Sequence, residues 1–123
     1  MQVIHAADAP RFQLHGVEFT GLAAPSRGSR QLCTWRLAVD PGVRNDEPHT
    51  IDRDEVFMVL AGSVQITPDG EKLGPGDALV VQAGEPIQLS NLGGTTAELY
   101  VAITAGFTGT MADGTQIQPP WAQ

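Results

Sequence analysis

Turn-forming residues occur along the whole chain, and this feature limits the possible fold more than any other. The 123 residues include 14 glycines and 9 prolines, and the segments between them are short and rich in Val, Ile, Leu and Thr. Frequent turns between such segments are typical of antiparallel sheets and not of helix bundles. No window of adequate length keeps a helical period, although a short helical turn is possible near Asp8–Phe12. The sequence therefore predicts an all-β sandwich or barrel.

The sequence predicts seven strands separated by turns. The turn signals are clearest in TPDGEK, GPGDA and NLGGTT, where Pro, Asp, Asn and Gly supply the backbone angles that reversals need. Between Glu55 and Leu60 both faces are apolar, which predicts a strand covered by the barrel interior on one side and by a second sheet or subunit on the other. The predicted strands are Gly16–Gly21, Arg30–Val39, Glu55–Leu60, Ser63–Pro68, Ala78–Gln82, Pro86–Asn91 and Ala97–Thr104.

Alternation assigns the inward face of the second predicted strand. In RQLCTWRLAV the apolar Cys33, Trp35, Leu37 and Val39 fall on one face, and Thr34 falls on the other. One apolar and one mixed face are expected of an antiparallel sheet that packs on one side.

Length and charge narrow the class of protein. A chain of this size fits one domain, residues 1–123, and its formal charge of −7 disfavours binding to nucleic acid or to anionic lipid. The single cysteine, Cys33, excludes an internal disulfide and agrees with a reducing compartment. The N-terminal residues MQVIHAADAP have no signal-peptide pattern, and no apolar run is long enough to span a membrane. We therefore expect a soluble, cytoplasmic domain.

The stretch EPHTIDRDEVFMVLAG carries the main functional signal. Together with GPGDALVVQAGEPIQLSN, the residues Gly42, His49, Glu55 and Gly62 resemble the two signature motifs of the cupin superfamily, G-x5-H-x-H-x3,4-E-x6-G and G-x5-P-x-G-x2-H-x3-N. The resemblance covers roughly residues 32–104, leaving an N-terminal arm (1–15) and a C-terminal tail (105–123). It implies a double-stranded β-helix, which is a jelly-roll barrel, with a pocket inside and usually with a dimeric assembly.

The chain departs from the family pattern at the metal-binding positions. If His49 is the first motif histidine, the second falls on Ile51, and the histidine of the second motif falls on Ile87. A longer spacer would instead place the two histidine positions on Pro48 and Thr50 and turn His49 outward. We prefer the first alignment because alternation then puts His49, Ile51 and Glu55 on one face.

This depletion argues against a tightly bound metal. Mononuclear centres normally need three or four protein ligands, whereas the motif positions here supply only His49 and Glu55. We predict no cofactor, and a divalent transition metal remains the alternative if the fold brings in a further ligand. Candidates for that ligand are Asp52, Asp54, Gln88, His15 and His5.

Without a metal, His49 and Glu55 have three possible roles. They can hydrogen-bond to each other and exchange a proton with a substrate, they can anchor a polar ligand, or they can be a satisfied polar contact inside the barrel. Our leading hypothesis is a small-molecule-binding protein with an apolar barrel pocket. The alternatives are a small enzyme, either metal-dependent or of the metal-free isomerase or cyclase type, and a domain that contacts another protein. The predicted pocket residues are His49, Glu55, Trp35, Phe57, Ile51 and Ile87.

The remaining conspicuous residues have structural explanations. His5 and His15 are expected on the surface of the arm, and Cys33 is expected in the core. Met58 lies on the face opposite Glu55 and is expected to pack between sheets or subunits, which together with the resemblance predicts a homodimer. The tail Pro119-Pro120-Trp121 has little backbone freedom, so we expect it to dock, either by packing on the barrel mouth or against a partner subunit.

Overall fold

The protein is almost entirely β-structure. The computed structural model describes all 123 residues. Three helical segments of three residues each, Ala6–Asp8, Pro25–Arg27 and Pro120–Ala122, are of the 3₁₀ type, and no helix has the length and apolar character needed to cross a membrane. The strands are β1 (Arg11–Leu14), β2 (Val17–Gly21), β3 (Leu32–Val39), β4 (Thr50–Ile51), β5 (Glu55–Ala61), β6 (Ala78–Val81), β7 (Ala97–Thr104), β8 (Gly109–Thr110) and β9 (Gln116–Ile117).

Two antiparallel sheets form a double-stranded β-helix, or jelly roll. The larger has six strands in the order β1-β2-β3-β7-β5-β6, and the smaller has three in the order β4-β8-β9. The smaller sheet is extended by isolated bridges, which pair Arg44 and Gln65 with Ser90 and His49 with Ile87. The predicted all-β jelly-roll architecture is therefore confirmed.

The large sheet buries one face, as alternation predicted. Trp35 lies opposite Val101 on β7, which in turn lies opposite Phe57 on β5, and all three side chains are buried. Val39 and Leu99, near the end of the sheet where β3 finishes and β7 begins, are completely buried and do not line the internal cavity. The inward side chains therefore form a packed core at this end and surround a hollow elsewhere.

Several predicted elements differ from the structure. Ser63–Pro68 and Pro86–Asn91 form no regular strand, because each makes only isolated bridges. The predicted helical turn lies earlier, at Ala6–Asp8, and Arg11–Leu14 is a strand instead. The outer face of β5 is not covered by a second sheet of the same chain, since Met58 and its neighbours are exposed.

The N-terminal arm and the C-terminal tail are both built into the barrel. Strand β1 pairs along its whole length with β2, and the tail residues Gly109–Thr110 and Gln116–Ile117 belong to the smaller sheet. The indole of Trp121 stacks on Phe19 of β2, with ring centroids 3.8 Å apart. The expected docking of the tail is thus seen within a single chain.

Candidate functional site

A cavity of about 520 Å³ lies inside the barrel and is predominantly apolar. Fourteen of its 22 lining residues are hydrophobic. The volume falls within the range of ligand pockets in proteins, roughly 300–1,000 Å³. All six residues predicted from the sequence lie around it, namely Trp35, His49, Ile51, Glu55, Phe57 and Ile87.

Glu55 is placed in the cavity by strand pairing. It begins β5 and lies between Val81 of β6 and Ile103 of β7, and alternation directs its side chain inward with only 4% of its surface exposed. The two preceding carboxylates face away and accept backbone hydrogen bonds, Asp54 from Ala83 N (3.0 Å) and Asp52 from Thr108 N (2.8 Å). Of the acidic run DRDE, Glu55 alone lines the cavity.

The carboxyl group of Glu55 is buried, and one of its oxygen atoms makes no hydrogen bond. Its Oε2 atom has no hydrogen-bond partner in the protein, and burial raises the pKa of Glu55 to about 7. Burial acts in this direction because a low-dielectric environment disfavours the charged form. Near neutral pH the group can therefore either donate or accept a proton.

His49 lies on the opposite sheet and is also largely removed from water. Its backbone exchanges two hydrogen bonds with Ile87, at 3.2 and 2.8 Å, and burial lowers the pKa of its imidazole. No hydrogen bond joins the side chains of His49 and Glu55, so the hypothesis of a directly bonded pair is wrong for this structure. The imidazole thus lines the cavity independently of the carboxyl group.

The residues present do not fit a metal ion. The structure has no group of three or more His, Cys, Asp or Glu side chains placed to hold one. Ile51 and Ile87, at the two missing motif histidines, face the cavity and carry no donor atom. Three of the five candidates for a further ligand have protein partners: the carboxylates of Asp52 and Asp54 accept from backbone amides, and the Gln88 amide donates to backbone carbonyls. The other two candidates, His5 and His15, are exposed, and of these only His15 lines the cavity.

Aromatic rings form much of the cavity wall. The chain has two tryptophans, four phenylalanines and one tyrosine, and both tryptophans and three of the phenylalanines line the cavity. Trp35 and Phe107 are stacked with centroids 5.9 Å apart, and Trp35 meets the edge of Trp121 at 6.4 Å.

Sequence reasoning missed part of this lining. Leu37 could have been found, because it alternates with Trp35 on β3. Phe107, Ile117 and Trp121 come from the tail, where no strand period assigns an inward face. The docking of the Trp121 side chain was expected, but its partners were not.

The charged side chains among the lining residues are mostly exposed and mark the mouth. Arg44, Asp46 and Glu47 are exposed, and Arg44 is the only arginine or lysine of the lining. Glu55 is the only carboxylate of the lining that is buried. The interior therefore has no fixed positive charge.

These features describe a jelly-roll barrel with a ligand-sized internal cavity. Residues 35–103 match the family described as Cupin domain, which is more than half of the chain. The protein belongs to this family, and the resemblance inferred from its motifs is confirmed. A search of curated protein sequences finds no significant match.

Solved structures of the same fold include several enzymes. The chain is similar to the polyketide cyclase RemF from Streptomyces resistomycificus, with 23% identity, a TM-score of 0.73, and coverage of 85% of this chain and 79% of RemF. A sugar phosphate isomerase of the cupin superfamily from Silicibacter pomeroyi has 19% identity and a TM-score of 0.72, over 98% of this chain and 94% of that one. An oxalate decarboxylase of Bacillus subtilis has 19% identity and a TM-score of 0.70, over 84% of this chain and 28% of that one. At these identities the likeness establishes the shared fold.

Proposed function

We propose that this protein binds a small organic molecule inside its barrel, without a tightly bound metal. The observation that carries the proposal is the carboxyl group of Glu55, which is buried in an apolar, ligand-sized cavity and has an oxygen without a hydrogen-bond partner. An unsatisfied buried polar group costs about 1–3 kcal/mol. A ligand that bonds to Glu55 would recover part of this free energy.

A thermal-shift screen with a metabolite library tests the proposal. We expect at least one compound to raise the melting temperature of the parent protein, and to bind about 2- to 10-fold more weakly to Glu55→Gln, because the variant alters one hydrogen bond. Glu71→Gln is the matched control, since Glu71 is exposed and does not line the cavity. If no compound distinguishes Glu55→Gln from the parent, the protein is better explained as a domain that contacts another protein.

Elemental analysis tests the metal-free part of the proposal. Protein purified without a histidine tag or chelator should contain much less than one transition-metal ion per chain, because His49 and Glu55 alone would make a weak site. Near-stoichiometric metal that disappears in His49→Ala would overturn this expectation.

A metal-free enzyme is the second candidate function. It is favoured by the combination of Glu55, whose pKa is about 7, with His49, whose pKa is lowered, in one cavity. Groups of this kind can move a proton at a carbon next to a carbonyl, as isomerases and cyclases require. A ligand found in the screen should then incorporate solvent deuterium when incubated with the parent in D₂O, and mass spectrometry should show no such incorporation with Glu55→Gln. Absence of deuterium with both proteins would leave binding as the function.

We also propose that two copies of the chain associate through the outer face of the large sheet. Met58, Leu60, Val80 and Tyr100 are apolar or aromatic and exposed on adjacent strands of this face. Their exposure in a single chain supports a second copy as the cover, in agreement with the homodimer expected from the family.

A further inference from the structure

We propose that the ligand is a flat, uncharged aromatic molecule with an oxygen acceptor, and that the indole N–H of Trp121 donates a hydrogen bond to that oxygen. This inference rests on the proposed binding function and narrows it to one chemical class. It also assigns a ligand-recognition role to the C-terminal tail.

Two residues of the cavity lining each carry a buried polar atom without a hydrogen-bond partner. Among buried side-chain nitrogen and oxygen atoms, only Glu55 Oε2 and Trp121 Nε1 have no hydrogen-bond partner in the protein, and both residues line the cavity. An indole nitrogen can only donate, so its partner must be an acceptor. A carboxyl group can accept, and in its neutral form it can also donate. A phenol oxygen can accept from the indole and can also donate to the carboxylate, whereas a ketone oxygen can only accept, either from the indole or from the neutral carboxyl group.

The shape of the wall favours a planar ligand. Trp121 stacks on Phe19 with an interplanar angle of 18°. Trp35, which lies beside Trp121, stacks on Phe107 at 28°. Aromatic rings bind other rings in offset-stacked or edge-to-face arrangements that are worth about 0.5–1.5 kcal/mol beyond the burial of area. A flat aromatic molecule can make such contacts, whereas a compact aliphatic one of similar size cannot.

The charge distribution favours an uncharged ligand. A phosphate or carboxylate deep in the cavity would be near Glu55 and would find no lysine or arginine, because Arg44 lies exposed at the mouth. Burying an unpaired anion is far more costly than burying a neutral aromatic surface. A sugar is disfavoured as well, since most of its hydroxyl groups would have no partner in an apolar wall.

The backbone holds Trp121 in place independently of its side chain. The Arg27 guanidinium donates to the carbonyl oxygens of Leu22 (2.6 Å) and Trp121 (2.7 Å), and the Cys33 thiol donates to Ala122 O at 3.4 Å. These bonds would remain in Trp121→Phe, which keeps an aromatic ring and removes only the N–H donor and part of the ring.

Four probe molecules separate the contributions of shape, hydrogen bonding and charge. These are 1-naphthol, naphthalene, 1-naphthoate and camphor, of which naphthalene lacks the oxygen, 1-naphthoate is charged, and camphor is a neutral but non-planar ketone. By isothermal titration calorimetry we expect 1-naphthol to bind most tightly to the parent. In Trp121→Phe its affinity should fall by about 3- to 10-fold, the value of one hydrogen bond, while that of naphthalene should change by less than about 2-fold. Tyr100→Phe, which removes a hydroxyl from the outer face, should change neither affinity.

Each other outcome overturns the inference. Equal weakening of 1-naphthol and naphthalene in Trp121→Phe would show that the N–H is not used, and tighter binding of 1-naphthoate or camphor to the parent would contradict the class of ligand. The relative affinities of the four probes for the parent protein test the class of ligand even if Trp121→Phe does not fold. If other library compounds bind in a Glu55-dependent manner while the naphthalene series fails, only this inference is wrong. If no compound binds at all, both this inference and the proposed function are wrong.

Discussion

At the scale of single residues, Glu55 links the stability of the protein to its cavity. A buried carboxyl group without a partner is tolerated most easily when it is neutral, and burial raises its pKa from 4.5 to about 7. Between these two pH values the folded state keeps a proton that the unfolded state releases. The contribution of Glu55 to stability is therefore fully present below pH 4.5 and is lost as the pH rises through about 7.

We predict that Glu55→Gln removes this loss, because an amide does not ionise. The free energy of unfolding of the variant, measured by urea denaturation, should rise relative to that of the parent by on the order of 3 kcal/mol between pH 4.5 and about pH 8. The lowered pKa of His49 acts in both proteins and largely cancels in this difference. Glu71→Gln should show a constant difference, and a constant difference for Glu55→Gln as well would refute the prediction.

Alternation predicts which residues face the interior, but it cannot predict contacts between distant parts of the chain. The parity of β5 correctly directs Glu55 and Phe57 inward and Met58 outward. The stacking of Trp121 on Phe19 joins the tail to β2, and no local pattern encodes that pairing. The absence of a hydrogen bond between His49 and Glu55 likewise depends on the distance between the two sheets, which the sequence does not specify.

At the scale of elements, the two glycines of the first motif have different tasks. Both adopt left-handed backbone angles, with φ of 80° at Gly42 and 75° at Gly62. A Cβ atom at Gly42 would meet nothing within 4 Å, whereas one at Gly62 would lie 2.8 Å from the Cα of Ala97. Gly62 therefore serves both the turn after β5 and the close approach of that turn to β7.

We predict that the two alanine variants differ in stability for this reason. Gly42→Ala should lower the free energy of unfolding by about 1 kcal/mol, because alanine is strained in the left-handed conformation. Gly62→Ala should lower it by roughly a further 1–3 kcal/mol, because the added Cβ atom also overpacks the contact with Ala97. Urea denaturation of both variants gives the comparison directly. Equal losses of stability would show that the contact with Ala97 relaxes without cost.

The long strands could be predicted from the sequence, and the short ones could not. Strands β3, β5 and β7 each have seven or eight residues with clear alternation. Strands β4, β8 and β9 have two residues each, too few to show any period. The predicted segments Ser63–Pro68 and Pro86–Asn91 fail to form regular ladders, and their prolines explain part of this because they lack the N–H that a ladder requires.

At the scale of the whole molecule, the two faces of the large sheet have different surroundings. The inner face surrounds the core and the cavity, while the outer face exposes Met58 beside Tyr100 on β7 and Val80 on β6, with 57% of Val80 exposed. Exposed apolar side chains on adjacent strands are typical of interaction sites. Of these residues, Met58 belongs to β5 and contributes to the apolar outer face that the sequence showed for that strand. The sequence pattern therefore indicated that this face is covered, but not by what.

We predict that the protein is a homodimer in solution and that Val80→Lys makes it a monomer. A lysine within this apolar interface would have to bury its charge without a partner, which is highly unfavourable. Multi-angle light scattering at micromolar concentration should give twice the chain mass of 13.0 kDa for the parent and the single mass for Val80→Lys. Leu92→Lys is the matched control, because Leu92 is similarly exposed but lies in the loop between β6 and β7, and it should remain a dimer. A monomer mass for the parent would show that the outer face has another partner, and dissociation of both variants would show that added positive charge, and not this face, controls the association.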